Sequence, residues 1–134
     1  MKFLSDEWIK KAKQITAEKL DPEKDLKNAT TSLLNIIENI PPDGKSIYFF
    51  ILVKNGIIEE FVIDNKDYGL NKKAEFIVTG NYDTFVQILK GEMSTTIALI
   101  KNRLKIKGDK VEALKFVKPM DKFNGCLRKI ETEY

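Results

Sequence analysis

The chain has 134 residues, of which 43% are hydrophobic and 32% charged, a balance that fits one soluble domain over residues 1–134 and excludes a disordered chain. It has no histidine and one cysteine, Cys126, so imidazole catalysis and an internal disulfide are excluded and a reducing, cytoplasmic location is favoured. The net charge of +3 and the scarcity of arginine argue against nucleic-acid binding.

The first residues predict an amphipathic helix. Ser5 is a suitable N-cap, and an apolar stripe at helical spacing runs from Leu4 through Trp8 until the helix ends near Leu20. A second, shorter helix is predicted from Pro22, because proline is favoured at the first position of a helix.

Four strands are predicted in the middle of the chain. Residues 30–40 fit a helix face as well as a strand, and their threonines and isoleucines favour the strand. The Asn55-Gly56 pair is a strong hairpin signal between two apolar segments. We therefore expect a meander with strands at 30–40, 46–54 and 57–64 and a turn at 41–44, then a polar loop around Tyr68-Gly69 and a fourth strand at 74–79.

The C-terminal part predicts helices on both sides of one strand. Helices are expected at residues 82–90 and 94–101, and strict alternation over 103–107 predicts a half-exposed strand. A helical apolar stripe from Phe116 to Ile130 follows, and we expect Pro119 to bend or interrupt it. This order of elements is typical of an α+β domain.

No pattern of residues predicts catalysis. Gly44-Lys45-Ser46 imitates the end of a phosphate-binding loop, but Asn39 stands where such a loop needs a glycine. Cys126 lies within the last apolar stripe, where a lone thiol is more often a packing residue than a nucleophile. We therefore expect no enzymatic activity, no metal site and no cofactor.

Two segments allow both a structural and a functional interpretation. Residues 46–54 are apolar on both faces, which fits a central strand covered on both sides or a strand with one face on a ligand cavity. Residues 101–107 carry Lys101, Arg103, Lys105 and Lys107, which fits an edge strand protected from aggregation or a surface that attracts anionic head groups and membranes. Composition alone leaves both alternatives open.

Three segments in the second half carry a more specific pattern: 76–85 (FIVTGNYDTF), 88–91 (ILKG) and 98–109 (ALIKNRLKIKGD). The pattern is an apolar strand, an acidic and aromatic helix, a central glycine, and a strand ending in Gly108-Asp109. Together with residues 3–8 and the Asn55-Gly56 hairpin, it closely resembles the sterol carrier protein 2 (SCP-2) family over nearly the whole chain. At the position of Asn102 the family usually has glycine. We expect Asn102 to adopt the left-handed conformation that glycine would have there.

The resemblance implies a mixed five-stranded sheet, in the order α-β-β-β-crossover-β-α-α-β-α, with helices packed mainly on one face. It also implies non-enzymatic binding or transfer of a sterol, fatty acid, fatty acyl-CoA or phospholipid chain in an apolar tunnel between sheet and helices. On this hypothesis the apolar contacts are Phe49, Ile51, Phe61, Phe85, Leu89, Ile97, Ile100, Leu104, Phe116, Met120 and Phe123. The polar head group is expected near Lys101, Arg103 and Lys105.

A second hypothesis is a structural or interaction module of the same fold with a filled core. It would act by dimerisation or as an accessory to a lipid enzyme, and cavity volume and exposed apolar surface distinguish it from a carrier. The partner expected first is a lipid or another hydrophobic small molecule. A transient contact with a membrane surface and a homodimer stay open, and no nucleic acid is expected.

Overall fold

The computed structural model describes residues 1–64 and 74–134. Its helices are α1 (Asp6–Lys19), α2 (Tyr82–Leu89), α3 (Thr95–Ile100), α4 (Lys110–Lys115) and α5 (Val117–Arg128). Its strands are β1 (Thr31–Ile40), β2 (Lys45–Lys54), β3 (Ile57–Asp64), β4 (Phe76–Asn81) and β5 (Leu104–Lys107). The loop predicted around Tyr68-Gly69 lies outside the described residues. Among the helices described, none has the length and apolar character needed to cross a membrane.

The five described strands form one mixed sheet in the order β3-β2-β1-β4-β5. β1 lies at the centre, antiparallel to β2 and parallel to β4, and the outer pairs β2–β3 and β4–β5 are antiparallel. The predicted α+β fold with a mixed five-stranded sheet is confirmed. The central position explains why residues 30–40 are ambiguous in sequence, because a strand that is buried on both faces has a nearly continuous apolar run.

The helices pack mainly over one face of the sheet, as predicted. Leu33 of β1 and Ile51 of β2 are directly paired and point towards the helices. Their neighbours Leu34 and Phe50 are also paired and point to the opposite face, where both are buried. At these two pairs β1 and β2 are therefore covered on both sides.

The β2–β3 hairpin forms at the predicted Asn55-Gly56 pair. Both residues have positive φ angles, 50° and 78°, as a type I′ turn requires. Gly56 also lies against the segment that follows α1: its N–H donates to the Ala29 carbonyl at 2.9 Å, and a Cβ here would overlap the carbonyl group of Pro22. Glycine is therefore required for both its φ angle and its small size.

The short helix predicted from Pro22 is wrong, because the chain forms turns there. Asp21 Oδ1 accepts hydrogen bonds of 2.9 and 2.8 Å from the backbone N–H groups of Glu23 and Lys24. This side chain stabilises a single turn, and a positive φ angle of 52° at Lys27 ends it before a helix can extend.

The C-terminal part forms two helices, and the apolar stripe from Phe116 to Ile130 belongs to the second, α5, and the residues beside it. Asp109 caps α4 by accepting from the Glu112 N–H at 3.0 Å, and α4 ends at Phe116, whose N–H donates to the Ala113 carbonyl. Pro119 lies in the first turn of α5, where its missing N–H costs no intrahelical hydrogen bond. The interruption expected at Pro119 is therefore wrong, because α5 runs through this residue from Val117 to Arg128.

Candidate ligand-binding site

A cavity of about 110 Å³ lies between the helix side of the sheet and the helices. The strands line it with Thr31, Leu33, Asn35, Ile37, Phe49, Ile51, Val53, Ile58, Val78 and Leu104. The helices line it with Trp8, Phe85, Ile88, Leu89, Thr95, Pro119, Met120, Phe123, Asn124 and Leu127. Phe3, Leu4, Leu26, Ala29 and Phe116, which lie between these elements, complete the wall.

The cavity wall carries no charge among the residues that the structure describes. Its polar members are Thr31, Asn35, Thr95 and Asn124, and all other lining residues are apolar. Transfer of hydrocarbon from water into such surroundings is favourable by roughly 25 cal/mol per Å² of apolar surface, whereas an ion would lose its hydration without a counter-charge. The site therefore suits an uncharged, largely apolar group.

The volume of this cavity is smaller than that of most ligand pockets, which measure roughly 300–1,000 Å³. A sterol or a long acyl chain would therefore require lining side chains to move. Met120 and Phe85 are only half-buried, and the unbranched side chain of methionine changes rotamer readily. Movement of such half-buried side chains would enlarge the cavity.

Eight of the eleven apolar residues predicted from the sequence line this one cavity. They come from two strands, two helices and the α4–α5 junction: Phe49, Ile51, Phe85, Leu89, Leu104, Phe116, Met120 and Phe123. The fold thus brings together residues that are up to 74 positions apart in the chain. Their contact with a ligand stays a prediction.

The other three predicted residues do not line the cavity. The Phe61 ring packs behind the wall, 4.7 Å from the Phe49 ring and 5.9 Å from the Phe123 ring. Ile97 and Ile100 are 42% and 71% exposed. They point outward because α3 turns its small residues, including the fully buried Ala98, towards the core.

The three predicted head-group residues are exposed and lie outside the cavity wall. Lys101 follows α3, and Arg103 donates a hydrogen bond of 2.8 Å from Nη1 to Gln87 Oε1. Lys105 pairs with Thr79 in the sheet and points to the face opposite the cavity, because its neighbour Leu104 lines the cavity. A head group at Lys105 would therefore have to lie across the sheet from the apolar chain.

Several cavity residues were not predicted from the sequence, and the most prominent is Trp8. Its ring is buried and meets the Phe3 ring edge to face at 4.9 Å, and its Nε1 donates to Thr132 Oγ1 at 3.1 Å. The helical stripe of α1 shows that Trp8 is buried but not which cluster it joins. Asn35 gives a clearer signal, since it is a polar residue at an inward position between Leu33 and Ile37.

The one thiol of the chain is a packing group, as its position in an apolar stripe predicts. Cys126 is buried in α5, and this burial raises the pKa of its thiol above the usual range. At neutral pH the sulfur is therefore protonated and a weak nucleophile. Among the described residues, no three histidine, cysteine or acidic side chains are grouped to hold a metal ion.

The fold is similar to solved structures of carrier proteins. A conserved hypothetical protein from Thermus thermophilus, described as possibly a sterol carrier protein, has a TM-score of 0.78 and 16% identity, with 99% of this chain and 92% of that chain covered. A crystal structure of sterol carrier protein 2 also has a TM-score of 0.78 and 16% identity, with coverages of 96% and 99%. At these identities the likeness establishes the fold alone.

A further solved structure belongs to a much longer protein. The inverting sec-alkylsulfatase of Pseudomonas sp. has a TM-score of 0.50 and 20% identity, and the match covers 86% of this chain but 15% of the sulfatase. No curated protein matches the sequence. The model of the SCP-2 sterol transfer family matches residues 12–121, which is most of the chain. The chain therefore belongs to the SCP-2 sterol transfer family.

Proposed function

We propose that this protein binds and carries a hydrophobic ligand in the uncharged cavity between the sheet and the helices. Family and fold support lipid or sterol binding or transfer in general. The observation that carries the proposal for this chain is the apolar wall, to which eight residues expected in a lipid site contribute. The proposed ligand classes are sterols, fatty acids, fatty acyl-CoA and phospholipid chains, and binding of each requires lining side chains to move.

The energetics favour a chain of ten carbons or more. Each buried methylene contributes roughly 0.8 kcal/mol, so ten contribute about 8 kcal/mol, which is the scale of micromolar affinity before association costs are subtracted. The SCP-2 family is not generally enzymatic. The protonated Cys126 thiol supports carrying without chemical conversion, because it offers no activated nucleophile.

The test is mass spectrometry of the protein purified without detergent, under native conditions and after lipid extraction. We expect a co-purifying lipid, and we expect a fluorescent fatty acid to bind at micromolar concentrations. If no lipid is extracted and the fatty acid does not bind, the carrier function is refuted.

The protein surface favours a membrane contact in addition. Ile100 and Leu114 are 71% and 69% exposed at the ends of α3 and α4, and a lysine follows each of them, Lys101 and Lys115. Exposed aliphatic side chains beside lysines fit the boundary of an anionic membrane, where each lysine contributes about 1 kcal/mol. This surface would be the place where a carrier takes up or delivers its ligand.

The alternative is an interaction module that acts through a dimer or beside a lipid enzyme. It is favoured by the same exposed side chains and by the match of this fold to a small part of a much longer sulfatase. Light scattering after size exclusion distinguishes the two. A stable dimer that binds no lipid would favour the module over the carrier.

A further inference from the structure

Three polar side chains line the apolar cavity without a hydrogen bond to any described residue: Asn35 of β1, Thr95 of α3 and Asn124 of α5. Thr95 is the most deeply placed, with 2% of its surface exposed, and its Oγ1 is buried with no partner within residues 1–64 and 74–134. Thr31, the fourth polar lining residue, differs because its hydroxyl donates to Glu75 Oε2 at 2.9 Å.

A buried hydroxyl without a partner is costly and therefore rare in folded proteins. Ser94 already caps α3 by accepting from the Ile97 N–H at 3.1 Å, so capping does not explain Thr95. Valine has the same shape and would fill this position without the penalty. A ligand group that hydrogen-bonds to Thr95 would account for the hydroxyl.

The wall restricts the charge of that group. No described lining residue is charged, so a carboxylate inside the cavity would lose its hydration with no cation to compensate. A threonine hydroxyl and an asparagine amide each offer both a donor and an acceptor. An alcohol matches them, because its hydroxyl is neutral and also donates and accepts.

We infer that the ligand carries a neutral hydroxyl group that binds Thr95 inside the cavity, with Asn35 and Asn124 as the other neutral polar groups of the wall. This inference rests on the proposed carrier function and deepens it, since it selects hydrophobic alcohols over fatty acid anions. It also places the polar end of the ligand away from Lys101, Arg103 and Lys105, which lie outside the wall.

Trp8 provides the signal for a direct test, because it is the one tryptophan of the chain and lines the cavity. We would titrate the protein with 1-decanol and, separately, with sodium decanoate near pH 8, following Trp8 fluorescence and binding heat. The wild type should bind decanol more tightly than decanoate. Thr95→Val should weaken decanol binding by roughly tenfold and leave decanoate binding unchanged.

Two further variants separate the hydroxyl from other effects. Thr95→Ser keeps the hydroxyl and should retain most of the affinity for decanol. Thr16→Val is the matched control, because Thr16 is equally buried but lies outside the cavity wall and donates to the Ala12 carbonyl at 2.8 Å. The affinity of this control for decanol should equal that of the wild type.

The possible results separate the inference from the carrier function. If neither ligand binds the wild type, the carrier function fails and the inference fails with it. If both ligands bind but Thr95→Val binds decanol as tightly as the wild type, the carrier function stands and the role of Thr95 is refuted. Tighter binding of decanoate than of decanol to the wild type also refutes the selectivity.

Discussion

Trp8 Nε1 donates a hydrogen bond of 3.1 Å to Thr132 Oγ1, which ties the first helix to the last residues of the chain. The backbone joins the same two ends: the Phe3 N–H donates to the Glu133 carbonyl at 3.0 Å, and the Glu133 N–H donates to the Met1 carbonyl at 2.7 Å. Because Trp8 also lines the cavity, the C-terminal residues support one wall of the site from behind.

Replacing Thr132 with valine should therefore destabilise the protein. The indole N–H of Trp8 is buried, and losing its acceptor should lower the free energy of unfolding by about 1 kcal/mol. Urea denaturation measures this, and Thr96→Val on the exposed side of α3 is the control that should change little. Equal stability of Thr132→Val and wild type would show that the hydrogen bond contributes nothing.

The two turn glycines of the sheet should respond differently to alanine. Gly56→Ala should cost about 1–2 kcal/mol for the left-handed backbone and more for the overlap with Pro22. Gly44→Ala should cost only the backbone part, because its φ angle is 72° but no atom lies within 4 Å of a Cβ there. Chemical denaturation of both variants measures the difference, and equal losses would contradict the close contact at Gly56.

Filling the cavity should reduce ligand binding without unfolding the protein. Met120→Trp places a bulky ring at a half-buried lining position, and we expect the affinity for decanol to fall at least tenfold. Ile57→Trp is the control, because Ile57 is 59% exposed and outside the cavity wall. Calorimetric titration measures both, and unchanged affinity of Met120→Trp would place the ligand elsewhere.

The stability of the protein should depend on Cys126 at alkaline pH. Burial raises the pKa of this thiol above its usual value of about 9, so its contribution to stability is complete below that pH. Above it, the thiol of the unfolded chain ionises first, and stability falls as the pH rises through the folded pKa. Cys126→Ala should show a smaller loss of melting temperature between about pH 8 and about pH 10 than the wild type does.

Tyrosines 82 and 134 act in the same direction, because burial also raises the pKa of each phenol. Their effect remains in Cys126→Ala, so the difference between the two melting curves reports the thiol alone. Identical pH dependence of variant and wild type would contradict the assignment to Cys126.

Vesicle flotation tests the proposed membrane contact. The wild type should float with vesicles that contain anionic lipid, and Ile100→Gln combined with Leu114→Gln should bind several-fold less. Ile57→Gln removes an isoleucine of similar exposure at the opposite end of the sheet and should bind as the wild type does. Equal flotation of all three proteins would exclude α3 and α4 as the contact surface.

The sheet can be predicted well from the sequence, because turn residues and the alternation of apolar residues are local features of the chain. The Asn55-Gly56 turn sets the hairpin, and alternation fixes which residues of each strand share a face. Hence Phe49 and Ile51 of β2 and Leu104 of β5, which are expected to share an inward face, all line the cavity.

The predictions from sequence are wrong where tertiary packing, and not local propensity, determines which residues are buried and where helices form. In α3 the periodicity marks Ile97 and Ile100 as core residues, but close packing against the sheet selects the smaller Ala98. Pro22 favours a helix start, yet the hydrogen bonds of the Asp21 side chain and the positive φ angle of Lys27 keep this segment in turns. The Thr95 hydroxyl, which has no partner among the described residues, has no local signal, because its burial depends on elements that are distant in sequence.

Because the described cavity wall carries no charge, ligand binding and membrane attachment should respond differently to ionic strength. Loading of a neutral ligand should be insensitive to added salt, since no ion pair in that wall is available to be screened. Attachment to an anionic vesicle depends on exposed lysines and should weaken as the Debye length shortens from about 30 Å at 0.01 M to about 10 Å at 0.1 M salt. Ionic strength alone would then release the protein from a membrane without emptying it.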